Sequence, residues 1–216
     1  MKYFELLIYN IYSLFFCIKY FPIQIAIKRP VLIHPSVRIK RLHRGGIVLA
    51  APEARLVIGF EATEGQSNYT SMISIHKGAH LEIHGFTTMA KGIRLMIDDG
   101  EVTIGKHFFC NGDCYIRCTM RIDIGDDNMY GWKVNFNTSN GHRVYHNGLE
   151  KEMEGDIKIG NHVWICSECT ISKNVDIADD CIVAQKSNVT RTFAVPHTLI
   201  GGNPAVDLCS NYSWKG

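Results

Sequence analysis

From Ile159 to Val195 the chain reads I-G-N-H-V-W, I-C-S-E-C-T, I-S-K-N-V-D, I-A-D-D-C-I, V-A-Q-K-S-N, V-T-R-T-F-A, V, and broken into sixes it displays its own period. An aliphatic residue heads every unit, at Ile159, Ile165, Ile171, Ile177, Val183, Val189 and Val195. An α-helix repeats every 3.6 residues and a strand every two, so neither alone holds one residue type at every sixth place. The following position is small or a turn former (Gly160, Cys166, Ser172, Ala178, Ala184, Thr190), and four positions after each aliphatic comes Val163, Cys169, Val175, Cys181 or Ser187. Six residues thus read as one short strand and one tight corner. Three such units make a triangular coil whose aliphatics point into a prism. Cys169 and Cys181 fall on inward positions, where a free thiol packs as a small hydrophobe.

The same beat runs upstream through Ile104, Cys110, Ile116 and Ile122, then slips by two and continues as Ile124, Tyr130 and Phe136. Earlier still it leaves only fragments, Ile33/Ile39 and Ile75/Leu81, with Gly45, Gly46, Gly59 and Gly65 marking turns, so the first coils are expected to be irregular. From Asn137 to about Gly155 the pattern disappears into N-T-S-N-G-H-R-V-Y-H-N-G-L-E-K-E-M-E-G, a polar stretch that must loop out of the prism. Long loops on a rigid scaffold carry function more often than the scaffold does.

Met1 to Phe21 is rich in Phe, Leu, Ile and Tyr but broken by Lys2, Glu5, Ser13 and Lys19, which argues against a helix that spans a bilayer. Lys2, Glu5, Tyr9 and Ser13 share one helical face, with a wide apolar face opposite. That pattern fits a helix lying in a membrane interface and equally one that covers the end of the prism or packs between subunits. Six basic residues and no acidic one occur between Lys28 and Arg44, a composition suited to an anionic inner leaflet. No small-residue cleavage site follows, so the expected location is cytoplasmic, peripheral at the inner membrane surface if the helix meets lipid.

A net charge of +2 over 216 residues, without aromatics interleaved in a long basic run, argues against nucleic acid as a partner. The eight cysteines lack the export context of a disulfide framework, and the glycan-acceptor triplets at Asn68, Asn137, Asn188 and Asn211 read as chance. Cys166-x-x-Cys169 is half a zinc site without its other half, so no metal is expected.

I-K-I-G-N-H-V-W-I (Ile157 to Ile165), the six-residue beat, V-T-R (Val189 to Arg191) and I-G-G-N-P-A (Ile200 to Ala205) together resemble the hexapeptide-repeat, left-handed β-helix acyltransferases. The resemblance runs from Ile104 to Trp214. Within the family, N-G-H-R-V-Y (Asn140 to Tyr145) leading into I-G-N-H-V-W is most similar to the branch that O-acetylates sugars and bacterial surface polysaccharides. It implies an all-β, left-handed parallel β-helix over residues 31–205 with a loop inserted at about 137–156, a helical appendage at 1–30 and a tail at 206–216. It also implies a homotrimer with sites between adjacent prisms, acetyl-CoA as co-substrate along the groove, and a sugar or polysaccharide acceptor. By position His142 matches the family's catalytic histidine, Trp164 the aromatic beside the thioester, with Asn140 in the acceptor pocket. Ser167, Ala184, Gln185, Thr190 and Arg191 match the coenzyme A contacts. The chain departs from the family at Cys166, where Gly is usual, and at Gln185-Lys186, in place of a Gly/Ala-rich stretch.

Acyl transfer to a hydroxyl needs a base, a donor for the tetrahedral oxyanion and a groove that aligns both substrates. His142 can supply the base; the Trp164 indole N–H or nearby backbone amides can supply the donor. Val163 and Ile165 occupy inward positions, so Trp164 between them should point outward. The thioester is already activated, so a direct ternary-complex route needs no protein nucleophile. Three other classes stand beside this one: N-acetylation of an amino or nucleotide sugar, a non-enzymatic trimeric scaffold, and a three-histidine zinc enzyme. The last is disfavoured because His142 and His146 share one loop.

Overall fold

The protein is described by a computed structural model covering residues 2–62 and 69–215, with side chains from Glu5 onward. Gly65, Asn68 and the Lys2 side chain lie outside the described residues. Three parallel sheets wrap into a left-handed prism. The first face holds eight parallel strands from Val31–Ile33 to Thr198–Gly202, the second runs from Arg38–Arg41 to Asn188–Val189, and the third from Ile47–Leu49 to Val175–Ile177.

Coil length separates two halves of the prism. In the C-terminal half Trp164 pairs with Ile182, Thr170 with Asn188 and Ile157 with Val175, each eighteen residues on, which is three units of six. Further up, Phe109 pairs with Met129 and Ile122 with Val102, twenty residues apart, and Met72 with Arg94, twenty-two apart. The slip in the beat now has a place. Ile122 and Ile124 both point inward from one strand, Arg121–Ile124, and the two extra residues sit at the corner after Tyr115–Cys118. Most four-residue strands bury two side chains, so the upstream walls carry two interleaved beats, such as Leu81 with Ile83 and Leu95 with Ile97.

Corners explain the period chemically. His162, Glu168, Asn174, Asp180 and Lys186 recur every six residues with φ between 55° and 63°, the left-handed conformation that turns the chain sharply. Non-glycine residues rarely adopt it, and Asn, Asp and His are the most tolerant. Cys166 is outside this set, so its corner does not require the glycine usual in the family. Corners of the first coils use Gly45, Gly59, Gly78 and Gly92 instead, and from His107 onward His107, Asp113, Asp127 and Lys133 take the same conformation.

Inside the prism the inward positions Val163, Cys169, Val175, Cys181 and Ser187 are buried with the aliphatics from Ile159 to Val189, whereas Val195, where the beat ends, is exposed. Phe108, Tyr130 and Phe136 pack in a row through the middle coils, the first pair edge-to-face and the second tilted, with centroids 5.1 and 5.3 Å apart. Burial pushes the Cys118 thiol up to about 12 and Cys169 up to about 11, so both stay protonated.

The two ends close differently. Helix α1 (Lys2–Tyr20), followed by the short α2 (Ile23–Ala26), lies against the free edge of the first strand. There the Ile33 N–H donates to Ser13 Oγ at 2.9 Å, and the Cys17 thiol reaches the Val31 carbonyl at 3.5 Å. Ser13 is fully buried and Tyr9 packs on the rings of His34 and Phe60. The face bearing Tyr9 and Ser13 is therefore the docked one, and the apolar face opposite points away from the prism. At the other end Ala205–Ser210 folds back antiparallel on Thr198–Gly202. The segment 206–216, expected as a tail, thus begins as a strand, because a reversal at Gly202–Ala205 satisfies the backbone groups of the last wall strand.

Candidate active site

On the first face, at its edge with the second, a cleft of about 390 Å³ brings together Trp164, Ser167 and Gln185 with Asn111, Trp132 and Cys166. Trp132, Ser167 and Gln185 each precede a left-handed corner residue (Lys133, Glu168, Lys186), so they stack in one column along this edge. Ser167 Oγ accepts the Trp132 N–H at 3.1 Å. A Cβ on Gly131 would come within 2.5 Å of Ser167 Oγ and 2.6 Å of its nitrogen, so glycine lets the coils close there. Trp132 and Asn111 are new members of the site. The equivalence of Trp132 to Ser167 is hidden in the sequence because the inserted loop sets Met129 and its partner Trp164 35 positions apart.

Trp164 points outward and is 36% exposed, as its place between two inward residues requires. Its aromatic neighbour within the chain is Trp214, 6.0 Å away, which stacks on His162 at 4.3 Å and donates its indole N–H to the His162 carbonyl at 2.9 Å. His162 in turn holds Asp180 through Nδ1 at 2.8 Å. Ala184 sits next to the same corner, half-buried, its N–H on the Ile200 carbonyl at 2.8 Å.

The remaining predicted residues lie on another edge. The loop leaves the second face after Asn135–Asn137, rejoins the third at Ile157–Ile159, and forms a hairpin pairing Val144–His146 with Leu149–Lys151. Its base is closed by Asn140 N–H on the Met153 carbonyl at 2.8 Å and Gly155 N–H on that of Thr138 at 2.9 Å. Asn140 and His142 are exposed, and among the described residues no hydrogen bond holds the His142 ring. Thr190 and Arg191 follow the last strand of the second face and occupy the same edge. Arg191 is engaged, with its Nη 3.0 Å from Asp207 and its guanidinium 4.3 Å over Phe193. Among the described residues no hydrogen bond or ion pair joins the loop to the cleft. No group of three or more His, Cys, Asp or Glu among them could hold a metal ion.

A prism of six-residue turns, an aromatic cleft on one edge and a histidine-bearing hairpin on another make the chain similar to the hexapeptide-repeat acetyltransferases. No family model matches it. Among curated relatives, it is 32% identical over 107 residues to galactoside O-acetyltransferase of Escherichia coli K12, covering 48% of this chain and 51% of that one. It is 41% identical over 59 residues to chloramphenicol acetyltransferase of Morganella morganii, covering 27% and 28%. The chain thus spans about half the length of the first and less of the second. Among solved structures, the polySia-specific acetyltransferase NeuO superposes with a TM-score of 0.57 at 17% identity over 87% of this chain and 79% of that one, which shows the shared fold.

Proposed function

We propose that the protein transfers an acetyl group from acetyl-CoA to a hydroxyl of a sugar or surface-polysaccharide unit, working as a homotrimer with His142 as general base. One observation carries the reading: the candidate residues divide between two edges of the prism, with Trp164, Ser167 and Gln185 on one and Asn140, His142, Thr190 and Arg191 on the other. Neither edge alone offers base and groove together. Packing prisms side by side about a threefold axis sets the loop edge of one against the cleft edge of the next.

In the resulting groove the outward faces of Trp164 and Trp132 suit the apolar pantetheine arm, and Lys133 and Lys186 stand on the adjoining corner column for phosphate. His142 accepts the acceptor hydroxyl proton as the oxygen attacks the thioester carbonyl. The Trp164 indole N–H or a corner amide stabilises the tetrahedral oxyanion. Collapse breaks the C–S bond, and the departing thiolate recovers the proton from the imidazolium. No cysteine is needed as a nucleophile, consistent with thiols held protonated inside the prism.

Release of free thiol from acetyl-CoA, measured over a panel of galactosides, other sugars and chloramphenicol, tests the proposal. Chloramphenicol belongs in the panel because one relative is named for it. The expected result is an acceptor-dependent rate that falls about 100-fold or more in His142→Ala. A parent protein that neither binds coenzyme A nor releases thiol with any acceptor would leave a trimeric scaffold as the better reading.

A further inference from the structure

Helix α1 is docked by the side carrying Tyr9, Ser13, Phe16 and Cys17, and its other side is apolar and open. Leu7, Ile11, Phe15 and Ile18, spaced by four, four and three, form one outward stripe, with Phe15 68% exposed. Leu6 and Ile8 flank it, and Ile23 and Ile27 are also exposed just beyond the helix. Single exposed aliphatics are ordinary, whereas a contiguous stripe of this length on a helix marks a surface with a partner.

Charge identifies the partner. From Leu6 to Pro52 the chain has no Asp or Glu and seven Lys or Arg: Lys19, Lys28, Arg29, Arg38, Lys40, Arg41 and Arg44. Two of them frame the helix directly, Arg29 bonding Asn10 at 2.9 Å and Arg44 bonding the Lys19 carbonyl at 3.1 Å. Among the described residues every ion pair of a Lys or Arg with a carboxylate lies elsewhere in the molecule, from Lys91–Glu61 to Arg191–Asp207, so these seven cations are uncompensated. The stripe and its cations sit at the end of the prism, where α1 covers the free edge of the first strand. No described helix is long and apolar enough to cross a membrane.

We infer that this end of the prism is a docking face for an anionic bilayer surface, with the α1 stripe immersed at the level of the lipid headgroups and the surrounding cations on the phosphates. An apolar stripe bordered by Lys and Arg is the composition of a helix that lies in the interface. A second copy of the chain is the rival occupant, but it would bring the same uncompensated cations against its partner's. The inference does not depend on the acetyltransferase reading. If both hold, a parallel trimer sets three such faces in one plane, and their joint binding exceeds that of one.

The experiment is flotation of the full chain with vesicles of phosphatidylcholine alone or mixed with phosphatidylglycerol, alongside light scattering for the oligomeric state. The parent should float with the mixed vesicles, less so in high salt, and not with phosphatidylcholine alone. Ile11→Ser/Phe15→Ser, changed at exposed positions, should lose at least ~10-fold in binding with the oligomeric state unchanged. Lys28→Gln/Lys40→Gln should lose about fivefold per charge removed. A parent that stays at the bottom of the gradient, or an Ile11→Ser/Phe15→Ser protein that binds vesicles as before or falls to a smaller oligomer, would overturn the inference.

Discussion

The wall of the prism and the loop inserted in it obey different rules. A wall strand such as Trp164–Ile165 is bonded on both sides, to Met129–Tyr130 above and Ile182–Val183 below, and sends alternate side chains inward. The hairpin at Val144–His146 and Leu149–Lys151 bonds chiefly to itself, and all six of those residues are exposed. Position on the wall is set by neighbours along the prism axis, which suits binding a long ligand in a fixed groove. Position on the loop is set by its short base, which suits presenting a base to a groove belonging to another subunit. The division predicts that wall substitutions act on stability or affinity and loop substitutions on turnover.

The largest expected effect is in the wall's interior. Phe136→Ala removes a fully buried ring from the Phe108–Tyr130–Phe136 row and should lower unfolding free energy by roughly 3–5 kcal/mol, measured by chemical denaturation. A loss under about 1 kcal/mol would mean that the middle coils are not packed as described. His142→Ala is the counterpart on the loop. Its rate should drop while its melting temperature stays within about 1 °C of the parent, since the ring is exposed and bonds to nothing among the described residues. A melting temperature that falls together with the rate would erase the distinction.

Trp164→Ala comes next, on the wall but facing outward. It should weaken coenzyme A binding about tenfold in calorimetry with little change in stability, because the lost contact is with ligand and not with the core. Lys133→Gly should have the smallest effect, a gain below ~1 kcal/mol. It relieves a left-handed corner at φ 58° but gives back part of that through the looser unfolded chain. A qualitative check runs alongside: in the native protein an alkylating reagent should label exposed Cys209 and spare Cys110, Cys118 and Cys169 until the chain unfolds.

The sequence was most transparent where the coil is shortest. Eighteen-residue coils place every corner residue on the six-residue beat, so Ile159 to Val195 declares the wall, the inward cysteines and the outward Trp164 together. Two additions obscure the rest. Extra residues at the corner after Tyr115–Cys118 produce the shift between Ile122 and Ile124, and the inserted loop hides the alignment of Trp132 with Ser167. At the N-terminus the face of α1 carrying Ser13 was legible as a face, but which side met the prism was not. A buried serine that bonds the first strand's backbone looks, in sequence, like a surface serine. Trp214 gave no signal at all, since its stacking on His162 depends on the chain turning back at Gly202–Ala205.

Whether a working site combines the loop of one subunit with the wall of another is decided most directly by mixing a loop variant with a wall variant and assaying them at acetyl-CoA too dilute for the wall variant to bind. His142→Ala and a wall variant, Trp164→Ala/Ser167→Ala, would be unfolded together in equal amounts, refolded and assayed for acceptor-dependent thiol release. Shared sites predict recovery of about a quarter of the parent rate, the fraction of interfaces at which an intact loop meets an intact wall in random trimers. If the mixture is no more active than its two components, loop and wall serve the same chain and the shared site is wrong.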